Sequence, residues 1–122
     1  MLNQSFTQSI TVTENQTAEK VGSGGLPVFS TPSLIALMEN TAMKMFDKLT
    51  SDLTTVGAEI NIKHLKASKI GSIITCTAMC TEIENRKYTF HIEAKDEQDD
   101  VVGQGTHIRF VVNIDKFMSK LD

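Results

Sequence analysis

The chain has 122 residues, 40% hydrophobic and 22% charged, which suits one globular domain with a real core and leaves no room for two. A net charge of −3, scattered Lys and Arg, six phenylalanines, one tyrosine and no tryptophan argue against a nucleic-acid partner. Met1–Ser5 lacks the basic-then-apolar pattern of a signal peptide and no run nears the ~18 apolar residues of a membrane span, so a cytoplasmic protein with no membrane partner is expected.

Ser5–Thr13 alternates, with Phe6, Ile10 and Val12 apolar, and reads as a first strand in which Gln8 interrupts one face. Glu14–Val28 has no period and carries Gly22-Ser23-Gly24-Gly25 and Pro27, so a mobile loop serving as lid or connector is expected. Its glycines lack the strand-before, helix-after setting of a dinucleotide fingerprint, and no lysine follows as in a phosphate-binding loop.

Thr31–Leu49 reads as a helix of about 18 residues. Either hydroxyl of Ser30-Thr31 can cap it, and Pro32 suits the first turn. On a wheel of about 100° per residue, Glu39 is flanked one turn away by Ile35, Ala36, Ala42 and Met43, with Phe46 two turns on. Asn40, Thr41, Lys44 and Lys48 take the other side. Carboxylates are almost never fully buried unpaired, because dehydrating the charge is costly. A chain that sets Glu39 on an apolar face has a use for it. The plain alternative is an edge glutamate at a dimer contact, or a structural ion pair.

Four further strands follow. Thr54–His64 places Val56, Ala58, Ile60, Ile62 and His64 on one face and Glu59, Asn61 and Lys63 on the other. Ser72–Glu84 is rich in Thr and Ile, and Glu84-Asn85-Arg86 turns tightly into Lys87–Lys95, with Tyr88, Phe90, Ile92 and Ala94 inward and His91 at the surface. Asp96–Asp100 is a charged reversal, and Val101–Ile114 is the last strand, with Val102, Ile108, Phe110, Val112 and Ile114 on one face. His107 and Arg109 take the opposite face, as solvent, interface or cleft residues. Asp115–Leu121 looks like a short helical tail. Cys76 and Cys80 fall four apart on a strand, roughly 13 Å between Cα atoms, so they read as reduced packing residues rather than a disulfide or metal pair. One apolar helix with about five antiparallel strands is an α+β domain, the sheet curving around the helix and burying most of its circumference.

The residues Val28-Phe29-Ser30-Thr31, Leu34, Leu37-Met38-Glu39, Val56-Gly57, His64 and Gly103-Gln104-Gly105-Thr106-His107-Ile108-Arg109 resemble the hotdog-fold thioesterases, in particular the fluoroacetyl-CoA thioesterase type. The resemblance covers essentially the whole chain. It implies a single hotdog domain over residues 1–122, with one long central helix wrapped by a curved antiparallel sheet of about five strands. It also implies a catalytic set of Thr31, Glu39 and His64, with Gly57, Arg109 and Phe29 at the substrate. A homodimer with two active sites at the subunit interface is implied too. The expected reaction hydrolyses an acyl-CoA thioester to acid and thiol, Glu39 activating water or attacking the carbonyl itself, with no metal or organic cofactor beyond the coenzyme A of the substrate.

The residues also carry plainer readings. A lone histidine such as His64, ending an inward row, is commonly a satisfied rim residue; beside a buried glutamate in one small domain, it suggests acid–base chemistry in a shared cleft. Thr31 reads first as a helix cap. If both residues are helical, Thr31 and Glu39 stand roughly 12 Å apart along the axis, and would meet only through substrate or a partner subunit. Gly57 either marks a strand irregularity or lets a thioester approach a backbone N–H that holds the oxyanion.

The fluoroacetyl-specific enzyme carries a longer, phenylalanine-bearing segment before its Val-Phe motif. Lys20–Pro27 has no aromatic, so a looser lid and a broader or different short-chain acyl specificity are expected. Two rival readings are a non-catalytic acyl-CoA-binding module, in which Glu39 and His64 would not share one cleft, and an enoyl-thioester hydratase. The absence of histidine from Thr31–Leu49 weighs against the second.

Overall fold

A computed structural model describes residues 1–122. Five strands, β1 (Ser5–Thr11), β2 (Leu53–His64), β3 (Ile73–Glu84), β4 (Lys87–Lys95) and β5 (Val101–Asn113), form one antiparallel sheet in the order β1-β3-β4-β5-β2. Helix α2 (Thr31–Met43) connects the two edge strands across one face, giving the expected α+β hotdog architecture. No helix is long and apolar enough to cross a membrane.

The segment before α2 is not the featureless loop expected. It holds a 3-10 turn at Glu14–Gln16 and the short helix α1 (Ala18–Val21), closed by Gly22 at φ 87°, a left-handed position that glycine adopts without penalty. Isolated bridges from Thr17 to Phe29 and from Val28 to Lys69 tie its ends to the body.

Helix α2 is shorter than expected, at 13 residues. After Met43 the chain tightens into i→i−3 bonds, Met45 N to Ala42 O and Phe46 N to Met43 O. These turn Phe46 edge-on to Tyr88 and Phe90, with ring centroids 4.8 and 5.9 Å away. The buried stripe of α2 is Leu34, Leu37, Met38, Thr41 and Ala42, while Ala36 and Met43 face solvent. The sheet therefore covers one side of the helix rather than most of its circumference, and Glu39 lies half-buried at the edge of the stripe. Thr41, expected on the polar side, is buried and bonds Leu37 O at 2.7 Å. Gln8, the apparent interruption of β1, donates to Asn40 Oδ1 and Thr41 Oγ1 at 2.9 and 2.8 Å and accepts from Lys44 Nζ at 2.8 Å. A polar residue in an inward row is tolerated when its hydrogen bonds are made.

Two strands face differently from what their sequence pattern suggests. In β2 the register slips between Gly57 and Glu59, a bulge that puts Ala58 out of step. Thr55 and Gly57 share the helix-facing side with Ile60, Ile62 and His64 across the bulge, while Val56 pairs with Phe110 on the outer face. The single-face row Val56–His64 expected from sequence is thus broken at the irregularity that Gly57 announces. In β5 the helix-facing residues are Gly103, Gly105, His107 and Arg109, opposite His64, Ile62, Ile60 and Gly57. Ile108, Phe110 and Val112 lie half-buried on the outer face. His107 is fully buried and Arg109 nearly so, which places them under the helix rather than in solvent. Cys76 and Cys80 are free and in the core; burial pushes the Cys76 thiol up to about 11 and the Cys80 thiol in the same direction.

Candidate active site

Ser30, not Thr31, caps α2: its Oγ accepts from Ser33 N at 3.1 Å. Thr31 is left as an exposed first-turn residue, its hydroxyl free for another partner. That partner is His64 at the end of β2, with Oγ1 and Nδ1 2.8 Å apart. His64 Nε2 has no hydrogen-bond partner and is shielded from solvent. Burial pushes the imidazole below its usual 6.5, against a smaller upward pull from the backbone of Lys66, so the neutral ring is favoured. Phe29, 1% exposed, stands behind this pair with its ring at 79° to His64 and centroids 6.5 Å apart.

Thr31, His64, Phe29 and Lys66 line a cavity of about 330 Å³, and Ala18 and Ser23 of the glycine-rich segment border it. The turn after His64 is fastened at the other end. Lys66 Nζ bonds Asp96 Oδ2 at 2.6 Å and Asp100 Oδ2 at 2.7 Å, which raises its pKa to about 12. Asp96 Oδ1 in turn accepts from Gln98 N and Asp100 N, so one carboxylate closes the β4–β5 reversal and anchors the lysine.

Glu39 lines a second recess of about 210 Å³ with Gly57, Ala58, Ile60 and His107. No cation lies within 4.0 Å of its carboxylate, so the structural ion pair is ruled out within the chain. A β-carbon placed on Gly57 would stand 2.7 Å from Glu39 Oε2, 3.3 Å from His107 Cε1 and 3.4 Å from Arg109 Nη1. Three polar side chains thus converge on the point that glycine leaves vacant. Arg109 is held from below: Nε donates to Thr55 Oγ1 at 2.9 Å and Nη2 to Thr55 O at 3.2 Å. It does not meet a carboxylate directly. Burial lowers its pKa and the Glu39 charge opposes that shift.

The residues expected in one cleft therefore fall into two recesses of the single chain: Thr31, His64 and Phe29 in one, Glu39, Gly57 and Arg109 at the other. The reason is axial. Thr31 and Glu39 both belong to one continuous helix, which keeps their backbones roughly 12 Å apart. His107, which sequence left as a surface or cleft residue, joins the second recess. The bulge signalled by Gly57 and the Gly103-Gln104-Gly105 run beside it were the clues that β5 approaches β2 and α2 closely: a β-carbon on Gly103 would come 2.8 Å from Leu34.

Known proteins share this fold. The family profile described as fluoroacetyl-CoA-specific thioesterase, FlK, matches residues 12–115. The fluoroacetyl-CoA thioesterase of Streptantibioticus cattleyicolor is 32% identical over 95 residues, covering 77% of this chain and 68% of that protein. The solved structure of the fluoroacetyl-CoA thioesterase FlK superposes with a TM-score of 0.93 at 26% identity, over 99% of this chain and 94% of that one. A variant of FlK in complex with fluoroacetate and CoA does so at 0.88 and 27% identity, over 96% and 98% of the two chains. The Thermus thermophilus hypothetical protein TTHA0967, a thioesterase superfamily member, shares the fold at a TM-score of 0.90 and 19% identity, over 99% and 90%. The chain is a hotdog-fold thioester hydrolase and belongs to the fluoroacetyl-CoA-specific thioesterase family.

Proposed function

We propose that the protein hydrolyses a short-chain acyl-CoA thioester to the free acid and CoA, as a homodimer with Glu39 as base or nucleophile. The observation that carries the reading is the Glu39 carboxylate, half-buried, without an ion pair, and set over the bare backbone of Gly57. Complexes of one FlK variant with fluoroacetate and CoA, and of another with acetyl-CoA, support a thioester of this size.

The two recesses argue for the dimer. β2 is an edge strand with its outer side free to pair. Antiparallel pairing of two copies about a centre between Ile60 and Asn61 would bring Gly57 and Glu39 of one subunit beside His64 of the partner subunit. Each complete site would then take Glu39, Gly57 and Arg109 from one chain and Thr31, His64 and Phe29 from the other. A C2 contact makes two such sites at once.

In this arrangement the thioester carbonyl lies over Gly57, whose N–H takes the developing oxyanion. On the water route, Glu39 removes a proton from water as its oxygen bonds the carbonyl carbon. On the covalent route, a Glu39 oxygen bonds that carbon, and water later cleaves the anhydride. In both, the C–S bond breaks and the thiolate takes a proton through His64, from Glu39 on the water route and from solvent on the covalent route, where the water that cleaves the anhydride gives its protons back to solvent. Thr31 holds His64 at Nδ1 and polarises the acyl end, Phe29 walls the acyl pocket and Arg109 offers a positive charge. The chemistry needs no metal or organic cofactor, because Glu39, as base or nucleophile, and the acid are both side chains. The small residues Ala18 and Ser23 at the cavity rim support a broader short-chain specificity than fluoroacetyl. Two buried free thiols fit a reducing cytoplasm.

The separation of Glu39 from His64 within one chain is also what a binding-only module would show, so the test must read turnover. Thiol release is measured over a panel of short, medium and aromatic acyl-CoAs, wild type against Glu39→Gln. Turnover that collapses in the variant with its fold intact supports the proposal and identifies the acyl class. No turnover on any acyl-CoA, with binding retained, would sink it in favour of the binding module.

A further inference from the structure

We infer that His107 is a positioning residue: it acts as a fixed neutral acceptor that holds the Arg109 guanidinium against the Glu39 recess. This rests on reading that recess as part of the active site.

The argument is one of hydrogen-bond inventory. His107 Nδ1 lies 2.8 Å from the Glu59 carbonyl oxygen, which can only accept, so Nδ1 carries the proton. Nε2 lies 3.2 Å from Arg109 Nη1, which can only donate, so Nε2 carries none. The two contacts together define a neutral imidazole of one tautomer with both nitrogens occupied. His107 therefore has no lone pair to offer a substrate, and it cannot serve as the general base despite its place in the recess.

What it can do is aim Arg109. The guanidinium has five N–H groups. Two are taken by Thr55 and one by His107, and the pair grips it from two directions. Nη1 keeps a second N–H, and this nitrogen is the one 3.4 Å from the Gly57 β-carbon point that Glu39 Oε2 also approaches. The Glu59 carbonyl that orients His107 sits at the β2 bulge, so the bulge, the tautomer and the arginine form one chain of dependence. The groups around the ring are accounted for: Glu39 from α2, Arg109 from its own strand, and the apolar Phe90 ring from β4, 6.4 Å between centroids. Burial of His107, joined by the neighbouring Arg109 charge, disfavours a second proton against upward pulls from the Glu59 backbone and the Glu39 charge, in agreement with the geometry.

The test compares acyl-CoA hydrolysis by wild type, H107L, H107Q and E39Q, with urea unfolding of each. Leucine removes donor and acceptor, whereas glutamine restores both. The expected result is a kcat about tenfold lower in H107L with KM within about twofold, and H107Q within about threefold of wild type. A merely structural role would lower the unfolding midpoint in H107L and leave kcat of the folded protein alone; that result overturns the inference, as does equal impairment of H107Q and H107L. Nitrogen NMR of the wild-type imidazole requires no variant: protonated Nδ1 and bare Nε2 at neutral pH are expected, and the opposite tautomer or an imidazolium overturns it. Full activity in E39Q would overturn the site reading beneath the inference; loss in E39Q beside a wild-type kcat in H107L overturns the inference alone.

Discussion

The Glu39 carboxylate occupies space that exists only because residue 57 is glycine: its Oε2 lies 2.7 Å from where a β-carbon on Gly57 would stand. Strand and helix have been brought together with no side chain between them. A carboxylate at the stripe's edge is thereby held against a peptide backbone.

Gly57→Ala tests that fit. The nearest obstruction is the far end of a flexible side chain, so the fold should tolerate the methyl group while Glu39 swings away. We expect a kcat reduced by about tenfold or more, with an unfolding midpoint close to wild type. Unchanged turnover would mean that the position of the carboxylate over Gly57 is not used.

Thr31 and Ser30 should separate cleanly. Ser30 carries the cap, so Ser30→Ala should cost about 1 kcal/mol of stability, while Thr31→Ala should cost little. Thr31→Ala removes the 2.8 Å contact to His64 and should lower kcat, with Thr31→Ser recovering most of it. Equal loss in the serine variant would show that the hydroxyl is not what matters.

A site shared between subunits has a signature that a single-chain site lacks. Glu39→Gln and His64→Asn homodimers should each be inactive. After mixing and refolding together, heterodimers would hold one site with both defects and one with neither, restoring about a quarter of wild-type activity. No recovery from a mixture shown to contain heterodimers would refute the composite site.

Acid should weaken the fold in a defined window. His64 and His107 are both held below the usual 6.5 by burial, so the folded state prefers them neutral. The unfolded chain takes up those protons first as pH falls. Their contribution is therefore complete above the unfolded value and is lost as pH drops towards the folded values. The lowered Asp96 carboxyl, held down chiefly by Lys66, titrates below this range and does not mask the effect. Urea midpoints should be lower at about pH 5.5 than at about pH 7.5, and less so in His107→Gln. A midpoint that is flat or rises on acidification would contradict this.

The sequence by itself determined the five strands, the long helix and their order, because periods of two and of about 3.6 are local properties of the chain; the short helix α1 it did not show. Strand β4 was legible residue for residue, and so were the odd glutamate on an apolar helix, the histidine ending β2 and the glycine before it. What sequence could not decide was orientation and partnership. A bulge beside Gly57 reverses which side chains face the helix, and alternation alone cannot register a slipped residue. The apolar face of β5, Ile108-x-Phe110-x-Val112, looked like the core side, yet His107 and Arg109 lie inside because Thr55 and the Glu59 carbonyl, distant in sequence, satisfy their hydrogen bonds. Only the tertiary structure supplies those partners. It alone sets Thr31 beside His64 and Glu39 against Gly57, two turns apart on a rigid helix that keeps the groups from meeting.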